Sequence, residues 1–163
     1  KLIANIPYNI TGAILEKFLS DEYSPESMVL LVQKEVAQRI VARDEKESIL
    51  SISVKAYGTP RYVETVKAGS FVPAPTVDSA IIAITDISKK FFKKFDEKEF
   101  FQMLKAGFQA KRKKLSSNLS VIYPKEKVIG VFEWLELDEN VRAEDIKIEM
   151  WQKLGEKLLS NTK

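Results

Sequence analysis

Apolar residues recur along this chain at two different spacings, and the switch between them divides it. Leu2, Ile3 and Ala4 run into a polar loop at residues 5–9, which reads as the end of a buried strand. In TGAILEKFLS, residues 11–20, Ile14, Leu15, Phe18 and Leu19 share one helical face. SMVLLVQ, residues 27–33, is a continuous apolar run after a Ser-Pro turn and predicts a strand covered on both faces. KEVAQRIVA returns to helical spacing, with Val36, Ile40 and Val41 on one side. SILSISVKAYG, residues 48–58, is β-branched, but its apolar residues at 50, 54 and 57 predict a helix ended by Gly58 and Pro60. RYVETVKAG and AIIAITDI predict two further strands, joined by the loop FVPAPTVDS. Strand, helix, strand, helix and two closing strands point to an α/β sheet.

After residue 88 the strand signal stops. DEKEFFQMLKAGFQAK carries Phe100, Phe101, Leu104 and Phe108 at helical spacing, with Asp96 as its N-cap. KEKVIGVFEWLEL and EMWQKLGEKLL predict two more helices, through Val128, Val131, Phe132 and Leu135 and through Trp151, Leu154 and Leu158. The expected organisation is therefore an α/β part over residues 1–88 and a small all-α domain over residues 89–163.

Composition narrows the chemistry. The chain has no Cys and no His, so its own residues form no disulfide, no thiolate or imidazole metal site and no Ser-His triad. No apolar run approaches the ~20 residues of a membrane span, and the first residues lack the layout of a signal peptide. These features fit a cytoplasmic protein with no membrane partner. The net charge is only +3, but it is unevenly spread. Lys89, Lys90, Lys93 and Lys94 form one basic cluster, and Lys111, Arg112, Lys113 and Lys114 form another. Acidic residues gather from Glu133 to Asp145. Charge alone leaves two readings of the basic runs, a solvated face or an anion-contacting surface.

The candidate chemistry lies in the first loop, Asn5-Ile6-Pro7-Tyr8. The lone pair of an adenine amine is delocalised into its ring, so a site assists methylation by accepting hydrogen bonds from both amine hydrogens. Asn5 offers a side-chain carbonyl, and Ile6 or Pro7 a backbone carbonyl at an angle set by the proline. Tyr8 offers a face on which the base can stack. Taken alone, the tetrapeptide is a weak signal and reads more readily as a strand-ending turn with a buried Tyr.

Three more stretches accompany it in order: QKEVAQRIVA at 33–42, FVPAPTVDS at 71–79 and FQAKRKKLSSNL at 108–119. Together these resemble the ribosomal RNA adenine dimethyltransferases of the KsgA type, whose patterns run close to N-[LI]-P-Y-N-I, QKEVA-R, F-x-P-x-P-x-V-x-S and F-x-x-[KR]-R-x-x-L. RAEDI at 142–146 resembles the family's closing R-x-E motif. The resemblance implies S-adenosylmethionine as methyl donor and an adenine pair near the end of small-subunit rRNA, in the pre-30S particle, as acceptor. It implies that Asn5 touches donor and target amine, that Ile6 and Pro7 shape the amine pocket and that Tyr8 stacks on the base. Phe71 would close that pocket from the other side, or be plain core. Lys111, Arg112, Lys113 and Lys114 would meet rRNA phosphates. Gln33, Lys34 and Glu35 are expected to brace a helix. Departures from the pattern are Thr11-Gly12 beside the pocket, Thr76, and Glu47-Ser48-Ile49.

The family also carries a Gly-rich strand-to-helix turn and a ribose-binding acid ahead of the Asn-Ile-Pro-Tyr loop. All six glycines here are isolated. The expectation is the C-terminal half of a Rossmann-like class I methyltransferase sheet, starting within its fourth strand, and a chain inactive alone. It leaves Lys1–Asn5 as a bare sheet edge open to self-association. Two alternatives remain: a non-catalytic rRNA-docking or ribosome-assembly module, and a large-subunit rRNA adenine methylase of the resistance type.

Overall fold

The computed structural model describes residues 1–159. Its sheet is built from β1 (Leu2–Asn5), β2 (Met28–Gln33), β3 (Thr59–Val66) and β4 (Ser79–Thr85), in the order β1-β2-β4-β3. β1 and β2 are parallel, joined through α1 (Thr11–Ser20), while β4 runs antiparallel to both β2 and β3. α2 (Lys34–Val41) and α3 (Ile49–Lys55) lie between β2 and β3 in the chain. The anticipated succession of strands and helices is present.

The register fixes which side chains meet. Ala4, Leu30, Ile82 and Tyr62 form one row across all four strands. That face shares a core with Leu15 and Leu19 of α1, Ala37 and Ile40 of α2, and Val54 of α3. Because all three helices feed this one cluster, β2 is covered on one face rather than on both, correcting the expectation from SMVLLVQ. Met28, Leu30 and Val32 are fully buried, but Val29 is 37% exposed and its neighbour Ile3 on β1 is 79% exposed. α3 ends ahead of Gly58 and Pro60, as expected, and Pro60 itself falls inside β3. It is tolerated there because β3 is an edge strand, where a missing N–H leaves no ladder bond unmade.

The helical part comprises α4 (Glu97–Gly107), α5 (Leu115–Leu119), α6 (Lys125–Trp134) and α7 (Ile148–Leu158). Asp96 caps α4 as expected, its Oδ1 accepting the Glu99 N–H at 2.9 Å. Phe100, Met103, Leu104, Leu115, Leu119, Trp151 and Leu154 make the centre of a second core. Gly107 is obligatory in it: a Cβ there would lie 2.5 Å from Cη2 of Trp151. The two cores meet at α3. Ile52 and Ala56 belong to the helical cluster, whereas Val54 and Tyr57 belong to the sheet cluster. The Tyr57 phenol also donates to Glu97 Oε1 at 2.6 Å.

A second tie joins the loop after α2 to the RAEDI segment. Lys46 pairs with Asp145, the Glu47 N–H donates to the Glu144 carbonyl at 2.8 Å, and Lys147 Nζ donates to the Glu45 carbonyl at 2.9 Å. Glu47, one of the departures from the family pattern, is buried. It accepts from Lys55 and from Ser51, both at 2.7 Å, so its charge is compensated at the start of α3. No helix among the described residues is long and apolar enough to cross a membrane.

Candidate active site and nucleic-acid interface

In an open α/β sheet, ligands bind beyond the carboxyl ends of the parallel strands. Here Asn5 ends β1 and Gln33 ends β2 at the edge of the sheet where β4 begins with Ser79, which is in register with Gln33 and Val66. The candidate pocket residues therefore come to one end of the sheet.

Asn5 is exposed there, with its side chain available to a ligand. The Ile6 side chain turns into the sheet core at 5% exposure, leaving its backbone as its contribution to the surface. Pro7, in extended conformation, starts a tight turn in which its carbonyl accepts the Ile10 N–H at 3.2 Å. Tyr8 is held at two points. Its carbonyl accepts from the Thr11 hydroxyl at 3.2 Å, and its phenol shares a short hydrogen bond with Ser79 Oγ. Thr11 is buried and caps this turn, so Thr11-Gly12 keeps the loop anchored despite departing from the family pattern.

Phe71 is half-buried in the loop between β3 and β4. Asp78 closes that loop. Its Oδ1 accepts the Ala68 N–H at 3.1 Å, and its Oδ2 accepts from Lys67 Nζ at 3.3 Å and lies 3.7 Å from Lys34 Nζ. The Asp78 carbonyl also accepts the Lys34 N–H at 3.0 Å. Lys34 thus braces the loop carrying Phe71 as well as opening α2. The Ala68 N–H, then Lys67, hold the Asp78 carboxyl below the ordinary carboxylate value. Neither Asp78 nor Ser79 stood out in the sequence, although both lie inside FVPAPTVDS. Their signal was adjacency: one residue facing each of two loops brought together by the sheet.

Lys111, Arg112, Lys113 and Lys114 are placed apart from this group, all exposed, in the turn between α4 and α5. Asn118 supports the turn from beneath, donating to the carbonyls of Gly107 at 2.7 Å and Ala110 at 3.2 Å. Lys114 lies 3.8 Å from Glu139. Lys111 and Lys113 line a cleft of about 740 Å³ together with Glu35, Gln38, Arg39 and Arg43. The cleft thus runs from the start of α2, next to Lys34, to the basic turn.

This arrangement, with loops gathered at one end of a mixed sheet and a helical unit appended, is the α/β class of Rossmann-like rRNA methyltransferases. A dimethyladenosine transferase from Plasmodium falciparum superposes with a TM-score of 0.80 at 26% identity, covering 94% of this chain and 65% of that one. The 23S rRNA methyltransferase ErmE superposes with a TM-score of 0.71 over 96% of this chain and 64% of its own, and at 22% identity shows the shared fold. Matching its family pattern over residues 1–159, the chain belongs to the ribosomal RNA adenine dimethylase family. It is 40% identical to the ribosomal RNA small subunit methyltransferase A of Dehalococcoides mccartyi strain CBDB1 over 94% of its length. It spans about half the length of the curated relatives it matches, 54% in that case.

The Asp78 clasp has a defined pH window. A carboxyl whose folded pKa is lowered contributes stability above its unfolded value, about 3.9, and loses it as pH falls through the folded value. The loop should hold at neutral pH and loosen only in acid, whereas Asp78→Asn should loosen it at pH 7. Limited proteolysis at pH 7 reads this, with cleavage within residues 71–77 expected to accelerate. Equal cleavage of variant and parent would remove Asp78 from this role.

Proposed function

We propose that this chain serves S-adenosylmethionine-dependent dimethylation of adenine amines in small-subunit rRNA during ribosome assembly, acting in the cytoplasm. Residues 1–88 carry the chemistry and residues 89–163 dock RNA. The reading rests on one observation above all: the Tyr8 phenol and the loop bearing Phe71 are both fastened to Asp78-Ser79. A docking module needs no such fastening of two aromatic residues. The small-subunit assignment draws on the naming of the relatives at 40% identity.

The donor supplies a methyl group on a sulfonium, and an exposed Asn5 at the end of β1 fits a contact with it. The Asn5 side-chain carbonyl and a backbone carbonyl of Ile6 or Pro7 accept the two amine hydrogens, favouring a pyramidal nitrogen with a directed lone pair. Tyr8 and Phe71 stack the base between them and exclude water. The amine nitrogen gains the methyl as the carbon–sulfur bond breaks, the sulfur keeps that electron pair, and the extra proton leaves to solvent. A second round gives the dimethylamine.

Lys111 and Lys113 at the cleft, with Arg112 and Lys114 beside them, present charge to RNA phosphates. Such contacts set position and affinity rather than base choice. The exposed apolar edge at residues 1–5 offers unpaired strand groups and the six glycines form no Gly-rich turn, so the 163-residue chain alone should self-associate and bind no donor.

Three measurements test this function. In the full-length protein, Tyr8→Ala should cut methyl transfer to a small-subunit rRNA at least tenfold while RNA affinity changes little, read by primer extension at the methylated adenines; unchanged transfer would end the stacking role. Replacing Lys111, Arg112, Lys113 and Lys114 with Gln should weaken RNA binding, each lost phosphate contact lowering the log–log salt slope by about 0.7–0.9. An unaltered slope would show that this turn does not face RNA. Sedimentation and donor calorimetry of the 163-residue chain should find oligomers without measurable donor binding, and a donor-binding monomer would contradict the proposal.

A further inference from the structure

Tyr8 can stack a base only if its ring plane is fixed. A tyrosine in a surface turn has two rotatable side-chain bonds, and its main chain alone does not choose between them. The Thr11 hydroxyl holds the backbone of Tyr8 at its carbonyl but leaves the ring free to swing. The far end of the ring is held elsewhere, by Ser79, a residue 71 positions away in sequence.

Ser79 suits that task for three reasons. It is fully buried, so water does not compete for its hydroxyl. Its backbone belongs to the ladder, facing Gln33 on one side and Val66 on the other, so the hydroxyl is mounted on the rigid sheet rather than on a loop. Its chain neighbour Asp78 is the residue that closes the Phe71 loop through Ala68 and Lys67. The two aromatic residues of the pocket are thereby referred to two adjacent residues at the start of one strand.

We propose that Ser79 is a positioning residue for methyl transfer: its buried hydroxyl sets the plane of the Tyr8 ring and, through Asp78, ties that plane to the loop carrying Phe71. This rests on the reading of Tyr8 as the stacking residue. Ser79 itself touches neither base nor donor, since its hydroxyl is buried and engaged with the phenol. Its effect is on geometry. A base held at the wrong tilt still binds, because phosphate contacts dominate affinity, but its amine no longer points along the line of methyl transfer.

The test uses the full-length protein with Ser79→Ala, Ser79→Thr, Tyr8→Phe, the double variant Tyr8→Phe/Ser79→Ala, and Tyr8→Ala. Single-turnover methyl transfer to a small-subunit rRNA is measured beside RNA affinity, donor affinity and melting temperature. Rates are normalised to donor-binding sites, so that partial unfolding does not pass for lost positioning. Ser79→Ala and Tyr8→Phe should each slow the step about tenfold, with RNA and donor affinities within about twofold of the parent. The double variant should be no slower than either single one, because both remove the same bond. Ser79→Thr, which keeps the hydroxyl, should recover most of the rate.

Multiplying losses in the double variant, or a silent Ser79→Ala beside a crippling Tyr8→Ala, would overturn the positioning role and leave the stacking reading standing. A silent Tyr8→Ala would overturn the stacking reading and this proposal with it. If Ser79→Ala fails to fold, Tyr8→Phe alone decides: full rate in that variant refutes the role of the bond.

Discussion

β4 is clamped between two antiparallel neighbours, and its register governs the placement of every loop at the pocket end of the sheet. Ala80, Ile82 and Ile84 are fully buried against the helices, so a slip by one residue would expose all three. That burial fixes where the strand begins. At the fixed start stand Asp78 and Ser79, one reaching the β3–β4 loop and Lys34, the other reaching Tyr8. Hydrophobic packing in the middle of the sheet thus dictates polar geometry at its end.

Much of this was legible in the chain. Helical spacing located α1, α2, α4, α6 and α7, and the spacing at 50, 54 and 57 outweighed β-branching to give α3. Asn5, Pro7, Tyr8 and Phe71 could be nominated as candidates because they belong to short local patterns. What escaped the sequence was whatever depends on contacts between distant segments. The Tyr8–Ser79 bond spans 71 residues, and the Lys46–Asp145 pair spans 99. The one-sided cover of β2 also escaped, because a run of apolar residues reports hydrophobicity but not which face receives helices.

The helical unit follows a different economy of structure. Its basic turn is short and fully exposed, yet Asn118 bonds two carbonyls beneath it, and Gly107 lets Trp151 pack directly against the same turn. The four basic side chains are thus exposed on a braced backbone. Residues of α2 line the same cleft as Lys111 and Lys113. The Lys46–Asp145 and Glu47–Glu144 contacts join the loop after α2 to the RAEDI segment.

α3 faces two cores, and this bears on how the molecule can be divided. Ile52 of α3 and Ala56 at its C-cap are lodged in the helical cluster, while Val54 of α3 and Tyr57 just beyond it are lodged in the sheet cluster. A boundary drawn by chain position at residue 88 therefore cuts neither core cleanly. A helical unit excised there would leave behind part of its own floor and expose apolar surface where α3 had been. To transplant the helical unit onto another α/β sheet, one would have to graft α3 with it or supply a host whose equivalent helix is already two-faced, which makes this small helix the real unit of compatibility in any chimera.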